Sequence, residues 1–441
     1  MSGSTLRIHD WSRLDDAGRK ELLRRPVQRD QDETMAGARA IVARVRHGGD
    51  RALLDLTEEH DHVRLAGIRV PAQEVESAAT ALSRNEKRAI ETAIGTVRAF
   101  HEAQVQHPLR VETAPGVVCE RITVPLQAIG MYVPAGTAPL PSTALMIGVP
   151  AQIAGCRRRV LCTPPRRDGM ADPGVLYTAQ ACGVTDIFKV GGAQAVAAMA
   201  YGTESVPKVD KIFGPGNAWV TAAKLAVAMD PEGAAYDMPA GPSEVLVIAD
   251  HAAHPEFVAA DLLAQAEHSA DAQVLLVTNS RNLAHAVIHE IDRQLARLSR
   301  GDIVRAALAG SRIILVNDLE TALEVSNLYA PEHLIIETER ARDWLASVRH
   351  AGSVFLGAWT PESMGDYCSG TNHVLPTNGF ARCLNGLSVF DFMKRITIQQ
   401  ATADGLAELA STATTMAEWE GLTAHALAVS IRQGQEVAIE P

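Results

Sequence analysis

Apolar residues recur along this chain in two rhythms, and the change from one to the other divides it. In residues 1–110 the period is helical. Met35-Ala-Gly-Ala-Arg-Ala-Ile-Val-Ala-Arg-Val-Arg46 repeats apolar side chains every three or four positions and stops at Gly48-Gly49. A second helix is predicted through Leu53, Leu54 and Leu56, and a long one over about 83–106. From about residue 112 short apolar runs alternate with helical stretches: Arg159-Val-Leu-Cys162, Asp186-Ile-Phe-Lys-Val190 and Lys211-Ile-Phe213. After Pro239 the rhythm resumes with Glu244-Val-Leu-Val-Ile-Ala-Asp250, Val274-Leu-Leu-Val277, Arg312-Ile-Ile-Leu-Val316, His333-Leu-Ile-Ile336 and Ser353-Val-Phe-Leu356. From about 390 the period is again helical, in Gly405-Leu-Ala-Glu-Leu-Ala410 and Ala424-His-Ala-Leu-Ala-Val-Ser-Ile-Arg432. No internal repeat is visible.

Buried β-branched runs separated by helices are the mark of parallel sheets covered on both faces. Two series of them predict an α/β protein with two Rossmann-like parallel-sheet domains and helical N-terminal and C-terminal extensions. The expected boundaries are an extension over 1–25, a first α/β domain over 26–110 plus 239–386, a second over 111–238, and a helical C-terminal segment over 387–441. A length of 441 residues agrees with two or three domains.

Composition narrows the function classes. The formal charge of −11 disfavours nucleic acid or an anionic membrane as partner, since both demand concentrated positive charge. No apolar stretch reaches ~18 residues, so no membrane span is expected. The six cysteines show no C-x-x-C pair and read as reduced thiols. With no apolar leader in Met1-Ser-Gly-Ser-Thr, the expected compartment is the cytoplasm.

Several polar clusters interrupt the apolar rhythm. Gln265 and His268 close a helical pattern and stand one turn apart, where an oxygen and a nitrogen could share a metal ion or merely edge an amphipathic helix. Val190-Gly-Gly-Ala-Gln194, Phe213-Gly-Pro-Gly-Asn217 and Tyr132-Val-Pro-Ala-Gly136 follow strands, where loops form the ligand crevice of an open parallel sheet. Each is either an anion-facing loop or a plain turn. Glu332 and His333 precede a strand, as a proton-transfer pair or as a cap with a surface histidine. Gly365-Asp-Tyr-Cys-Ser-Gly-Thr-Asn-His373 is dense in polar residues, and Asp366 could supply a third metal oxygen. Glu420 and His425 would diverge by about 140° on one continuous helix, unless a helix begins after Gly421. Glu58-Glu-His-Asp-His62 and Asp250-His-Ala-Ala-His254 read as a solvated helix end and a cap.

Taken in order, Tyr132-Val-Pro-Ala-Gly, Lys211-Ile-Phe-Gly-Pro-Gly-Asn-Ala, Asp237-Met-Pro-Ala-Gly-Pro-Ser-Glu-Val, Gln265-Ala-Glu-His, Ala330-Pro-Glu-His, Gly365-Asp-Tyr, Thr371-Asn-His-Val-Leu-Pro-Thr and Glu420-Gly-Leu-Thr-Ala-His425 closely resemble the signature blocks of the histidinol dehydrogenase family. The resemblance spans about residues 20–435. It implies an enzyme of histidine biosynthesis that uses zinc and NAD to oxidise L-histidinol through the aldehyde to L-histidine, consuming two NAD+. It places Gln265, His268, Asp366 and His425 as zinc ligands that also meet substrate, and Glu332 and His333 as the catalytic pair. Ser243, Glu420 and again His333 match substrate-holding positions, with His373 nearby. Tyr132, Gln194 and Asn217 match NAD contacts, with no G-x-G-x-x-G among them. It also implies a homodimer in which the C-terminal helices complete the partner's site. Cys368 and Tyr236 depart from the family's usual residues, at positions that are not ligands. A zinc hydrolase using Glu332, or a non-catalytic metabolite sensor, are the competing readings of the same residues.

Overall fold

A computed structural model describes residues 6–26, 31–135, 138–239 and 241–434. Gly136 of the loop after Tyr132, Ala240 of the Asp237 block, the first five residues and 435–441 lie outside the described residues. In chain order the strands are β1 Arg7–Asp10, β2 Leu109–Ala114, β3 Val117–Pro125, β4 Ala128–Tyr132, β5 Arg158–Thr163, β6 Asp186–Lys189, β7 Lys211–Phe213, β8 Ala235–Tyr236, β9 Glu244–Ala249, β10 Gln273–Thr278, β11 Arg312–Leu315, β12 His333–Glu337, β13 Ser353–Leu356 and β14 Met393–Ala401. Contacts group the chain into two compact units. One holds Met1–Gln104 with Leu126–Phe392, the other Val105–Pro125 with Met393–Pro441.

The larger unit contains two parallel sheets, ordered β1-β11-β10-β9-β12-β13 and β6-β5-β4-β7-β8. Without β1, the two orders are the same. Each starts on a central strand, steps outward twice, then returns to the other side of the first. The repetition is topological and has no counterpart in the sequence.

Side chains alternate across a strand, so a strand covered on both faces must be apolar throughout. That is why Glu244-Val-Leu-Val-Ile-Ala249 reads as a continuous run. Val245, Val247 and Ala249 pack with Val274, Leu276, Ile313 and Ile335 on one face. Leu246 and Ile248 pack with Leu275, Val277, Ile314 and Leu334 on the other.

Two local expectations are revised and a third is met. Arg7–Asp10, within the region read as helical, adds an edge strand in parallel register with Arg312–Leu315. Its four residues, Arg-Ile-His-Asp, are too few for a period to show. Met393–Ala401, expected to be helical, is a nine-residue strand. It pairs antiparallel with β3, which pairs with β2, giving the smaller unit a three-stranded sheet. The helical stretch Gln31–Asp61 is bent where expected, at Gly49, whose φ of 52° favours glycine.

Candidate active site

The two sheets of the larger unit offer opposite edges to the polar residues. On the five-stranded sheet the candidates follow strand ends. Tyr132 ends β4 and Gly214–Asn217 follow β7, its neighbour, where the strand order reverses. That is the switch point at which an α/β sheet opens a crevice. On the six-stranded sheet the candidates sit at strand beginnings: Ser243 and Glu244 open β9, and Glu332 and His333 open β12. The expectation that ligand loops follow the strands therefore holds for one sheet only. Gln265 and His268 reach the same edge because the Pro255–Ala266 helix runs back along the sheet from the far end of β9.

At the five-stranded sheet a cavity of about 1310 Å³ is lined by Tyr132, Gln194, Asn217 and His268. The Tyr132 hydroxyl accepts from the Gly192 N–H at 3.1 Å, and burial pushes its pKa up to about 12, so it stays a neutral phenol. Asn217 caps the Ala218–Ala228 helix, its side-chain oxygen accepting from Trp219 and Val220 N–H at 3.1 Å each, which leaves its amide nitrogen for other partners. The loop before it is held by the buried Lys224 ammonium, which donates to the Gly214 carbonyl and to Asp237. Gly214 has φ 120°, and a Cβ there would stand 2.1 Å from the Tyr132 carbonyl oxygen.

A second cavity, of about 1000 Å³, is lined by Ser243, Gln265, His268, Glu332, His333, Asp366 and His373. Asn217 and His268 line both, so the two spaces abut. Here the Glu244 peptide bonds both members of the expected catalytic pair. Its N–H donates to Glu332 Oε2 at 2.8 Å, and its carbonyl lies 3.1 Å from His333 Nδ1. A carbonyl only accepts, so the Glu244 contact is made by a protonated Nδ1. Nε2 is buried without a hydrogen-bond partner, 3.7 Å from Asp366 Oδ1.

Burial raises the Glu332 carboxyl to about 8, against the pull of His333 and the Glu244 N–H. Burial also opposes charge on His333, but the carboxylates of Glu362, Glu332 and Asp366 outweigh it and lift the imidazole to about 10.

Three of the four expected metal ligands meet in this cavity, and a residue the sequence reading did not single out joins them. A nitrogen of His268 and one oxygen each of Glu362 and Asp366 lie within 4.8 Å of one another. His268 stands just past the end of the Pro255–Ala266 helix, not on it, where a turn from the Gln265 carbonyl to its N–H keeps the two side by side. Both Glu362 oxygens, at 2.7 and 3.0 Å, face one end of the Gln265 amide. A carboxylate only accepts, so that end is the NH2 and the amide oxygen faces away from Glu362. Glu362 precedes Asp366 by four positions on one helix, the spacing that could have flagged it. The donor set fits a divalent ion: nitrogen, carboxylate and amide oxygens, with unpartnered Nε2 atoms on His333 and His373.

Glu420 and His425 belong to the smaller unit, where both are exposed. Gly421, at φ 72°, separates the Ala403–Trp419 helix from Thr423–Ser430, so the two residues sit on different elements. The cluster read as a solvated helix end is revised in part. Glu59, His60 and Asp61 line the larger cavity, and Asp61 Oδ2 is buried without a partner. Asp250 accepts from the Ala252 and Glu339 N–H groups but caps no helix, and His254 precedes the Pro255–Ala266 helix without a side-chain cap bond. All six cysteines are free.

The family model for histidinol dehydrogenase matches residues 23–433. The chain belongs to the histidinol dehydrogenase family. A relative of that description from Xylella fastidiosa is 55% identical over 429 residues, covering 97% of this chain and 99% of its own length. One from Vibrio parahaemolyticus is 54% identical over 422 residues, covering 96% and 97%. The crystal structure of histidinol dehydrogenase from Elizabethkingia anophelis superposes with a TM-score of 0.94 at 44% identity, covering 98% of this chain and 99% of that one. The chain is therefore an oxidoreductase that acts on an alcohol and then on the aldehyde.

Gly214→Ala is expected to displace the loop between Tyr132 and Asn217, at a strain of about 2 kcal/mol. Affinity for a nicotinamide dinucleotide should fall about tenfold or more, as titration calorimetry would register, with affinity for the amino alcohol little changed.

Proposed function

We propose that this chain is a histidinol dehydrogenase that oxidises L-histidinol to L-histidine through L-histidinal, reducing two NAD+ in the last steps of histidine biosynthesis. The observation that carries the reading is the buried Glu332–His333 pair, tied to the backbone of one residue and facing Asp366, Gln265 and His268 in a cavity that abuts a second, larger one. A hydrolase would need no such second space, and a sensor would not need a carboxyl and an imidazole buried together at its centre.

In the first step His333 Nε2, in its deprotonated form, would take the hydroxyl proton as the C–H bond of the alcohol carbon breaks. In the second, ionised Glu332 would take a proton from water as the water oxygen adds to the aldehyde carbon, and His333 would return its proton to the carbonyl oxygen to give the hydrate. The hydrate would leave as the carboxylate once its C–H bond breaks and its two hydroxyl protons pass to these groups and to solvent, and bound NAD+ would supply the hydride acceptor in both oxidations. Ser243, Glu420 and His425 complete the substrate site in this reading.

Zinc, bound through Gln265, His268, Asp366 and His425, would supply a Lewis-acid anchor for the substrate's imidazole and amine. Tyr132, Gln194 and Asn217 would hold NAD, so that within the larger unit the six-stranded sheet would be catalytic and the five-stranded sheet would carry the dinucleotide.

The partner we propose is a second copy of the chain. Val111, Ile396, Ile398, Met416, Trp419 and Leu422 of the smaller unit are exposed, and an apolar set of that size is costly in water. Segment 387–441 would then carry Glu420 and His425 into the other copy's site. No helix among the described residues is long and apolar enough to cross a membrane. With six free thiols this fits a cytoplasmic enzyme.

Two measurements test the reading. In single-turnover assays at 340 nm, His333→Asn should abolish the first NADH, while Glu332→Gln should slow mainly the second and let aldehyde accumulate. Equal loss of both steps in Glu332→Gln contradicts the division of roles. Because Glu332 helps to raise His333, its replacement should also move the acid limb of the first oxidation to lower pH. Mixing inactive His333→Asn and His425→Gln proteins should restore about a quarter of wild-type activity after subunits exchange, because half the dimers are mixed and each has one intact site. No recovery despite exchange would exclude the shared site.

A further inference from the structure

Arg25 lies far from the catalytic pair in sequence, in the stretch read as an N-terminal extension, yet its guanidinium bridges the opening of β9 and the turn into β12, the strand that carries that pair. Its Nε donates to Glu244 Oε1 at 2.5 Å and its Nη2 to Glu244 Oε2 at 2.9 Å, a two-point contact with a carboxylate that is 2% exposed. The same Nη2 donates to the Tyr329 carbonyl at 2.9 Å, and the guanidinium carbon stands 3.9 Å from the centre of the Tyr329 ring. Glu244 Oε1 also accepts from the Asn378 N–H at 2.9 Å.

Both ends of this bridge lead to catalysis. Glu244 is the residue whose N–H holds Glu332 and whose carbonyl holds His333. Tyr329 ends the helix before β12, and Ala330 follows in the left-handed region at φ 55°, ψ 68°. That conformation is strained for a residue with a Cβ and persists only where neighbours impose it. Pro331, Glu332 and His333 come next. The chain thus turns sharply into its catalytic residues at the carbonyl that Arg25 grips.

We propose that Arg25 is a positioning residue for the catalytic pair. Acting through Glu244 and the Tyr329 carbonyl, it locks the first residue of β9 against the turn into β12, fixing where Glu332 points and how the His333 ring is held. Lysine would not serve, since a single ammonium cannot make a two-point contact with the carboxylate while lying flat on a ring. This rests on the proposed roles of Glu332 and His333.

The test compares Arg25→Met, Arg25→Lys, Glu244→Gln and the double variant Arg25→Met/Glu244→Gln with wild type, each first checked for folding by circular dichroism and gel filtration. Arg25→Met keeps the stem over Tyr329 and removes every donor. Its single-turnover rate of first NADH formation should fall about 10²-fold, the scale of a small misplacement of reacting groups, with KM for NAD+ within about twofold of wild type. Arg25→Lys should recover only part of the rate. The double variant should be no slower than Arg25→Met, because the two residues act as one unit. Nitrogen NMR of labelled imidazole in the protein without substrate should show one sharp His333 environment in wild type and a shifted or broadened one in Arg25→Met.

A folded Arg25→Met with unchanged rate and unchanged His333 imidazole signals overturns the proposal. So does a rate loss confined to KM or to thermal stability. Should Arg25→Met not fold, Arg25→Lys and Glu244→Gln carry the same comparison. A wild type that makes no NADH from histidinol would remove the proposed function, while the imidazole spectra would still decide whether Arg25 orders the pair.

Discussion

Three carboxylates and one imidazole, Glu332, Glu362, Asp366 and His333, are shut into one edge of the six-stranded sheet, and the rest of the site answers to that charge. Burying a charge unpaired is expensive, and proteins avoid it by pairing it or by shifting its protonation. Both responses are visible. Burial raises Glu332 to about 8 and Glu362 well above its ordinary range. Burial would raise Asp366 too, but the nearby His333, with His373 and His268, holds it below. His333 is lifted to about 10 because it is the nearest cation to all three. With Glu332 and Glu362 pushed toward their neutral forms, one imidazolium balances Asp366, and a cation entering the cluster would draw those two carboxyls back to their charged forms. The unpartnered Nε2 of His373 and the outward amide oxygen of Gln265 are further donors for such an ion. The features that look costly for folding are those that make the site useful.

The two parallel sheets share one strand order but offer opposite edges to the chemistry. The five-stranded sheet uses the ends of β4 and β7, at the reversal of strand order, where glycines let loops close on each other. The six-stranded sheet uses the beginnings of β9 and β12, and helices returning from its far edge deliver Gln265 and His268 to the same place. Hydride transfer needs two bound molecules face to face, and joining unlike edges lets each sheet shape one pocket. Asn217 and His268, which line both cavities, mark the seam.

Much of this was legible in the sequence because burial on both faces leaves a strong trace. Runs such as Glu244–Ala249 and Gln273–Thr278 could hardly be anything but interior strands. Loops after β4, β6 and β7 were readable from their glycines, and Gly49 from the break in the helical period. Which edge of a sheet a residue occupies is not written in its neighbours, however, so Glu332 and His333 pointed to a strand opening without revealing that the site gathers there. Arg7–Asp10 was invisible because a four-residue edge strand has no room for a pattern, and Met393–Ala401 because helical segments flank it. Glu362 and Arg25 were missed for a different reason. Each is a single charged residue in an ordinary context, and its meaning comes wholly from partners up to 304 positions away. Gln265, His268 and Asp366 could be joined only through the family resemblance, since no local spacing links residue 268 to residue 366.

The central claim is that this buried acidic cluster is built around a divalent cation. Anomalous diffraction at the zinc absorption edge, from crystals of the full chain grown with stoichiometric zinc, tests it most directly. A single strong peak per chain within bonding distance of the Gln265 amide oxygen, a His268 nitrogen and an Asp366 oxygen is the predicted result. A chain that carries its zinc elsewhere, with those three side chains unmoved and bonded only to one another, would contradict it.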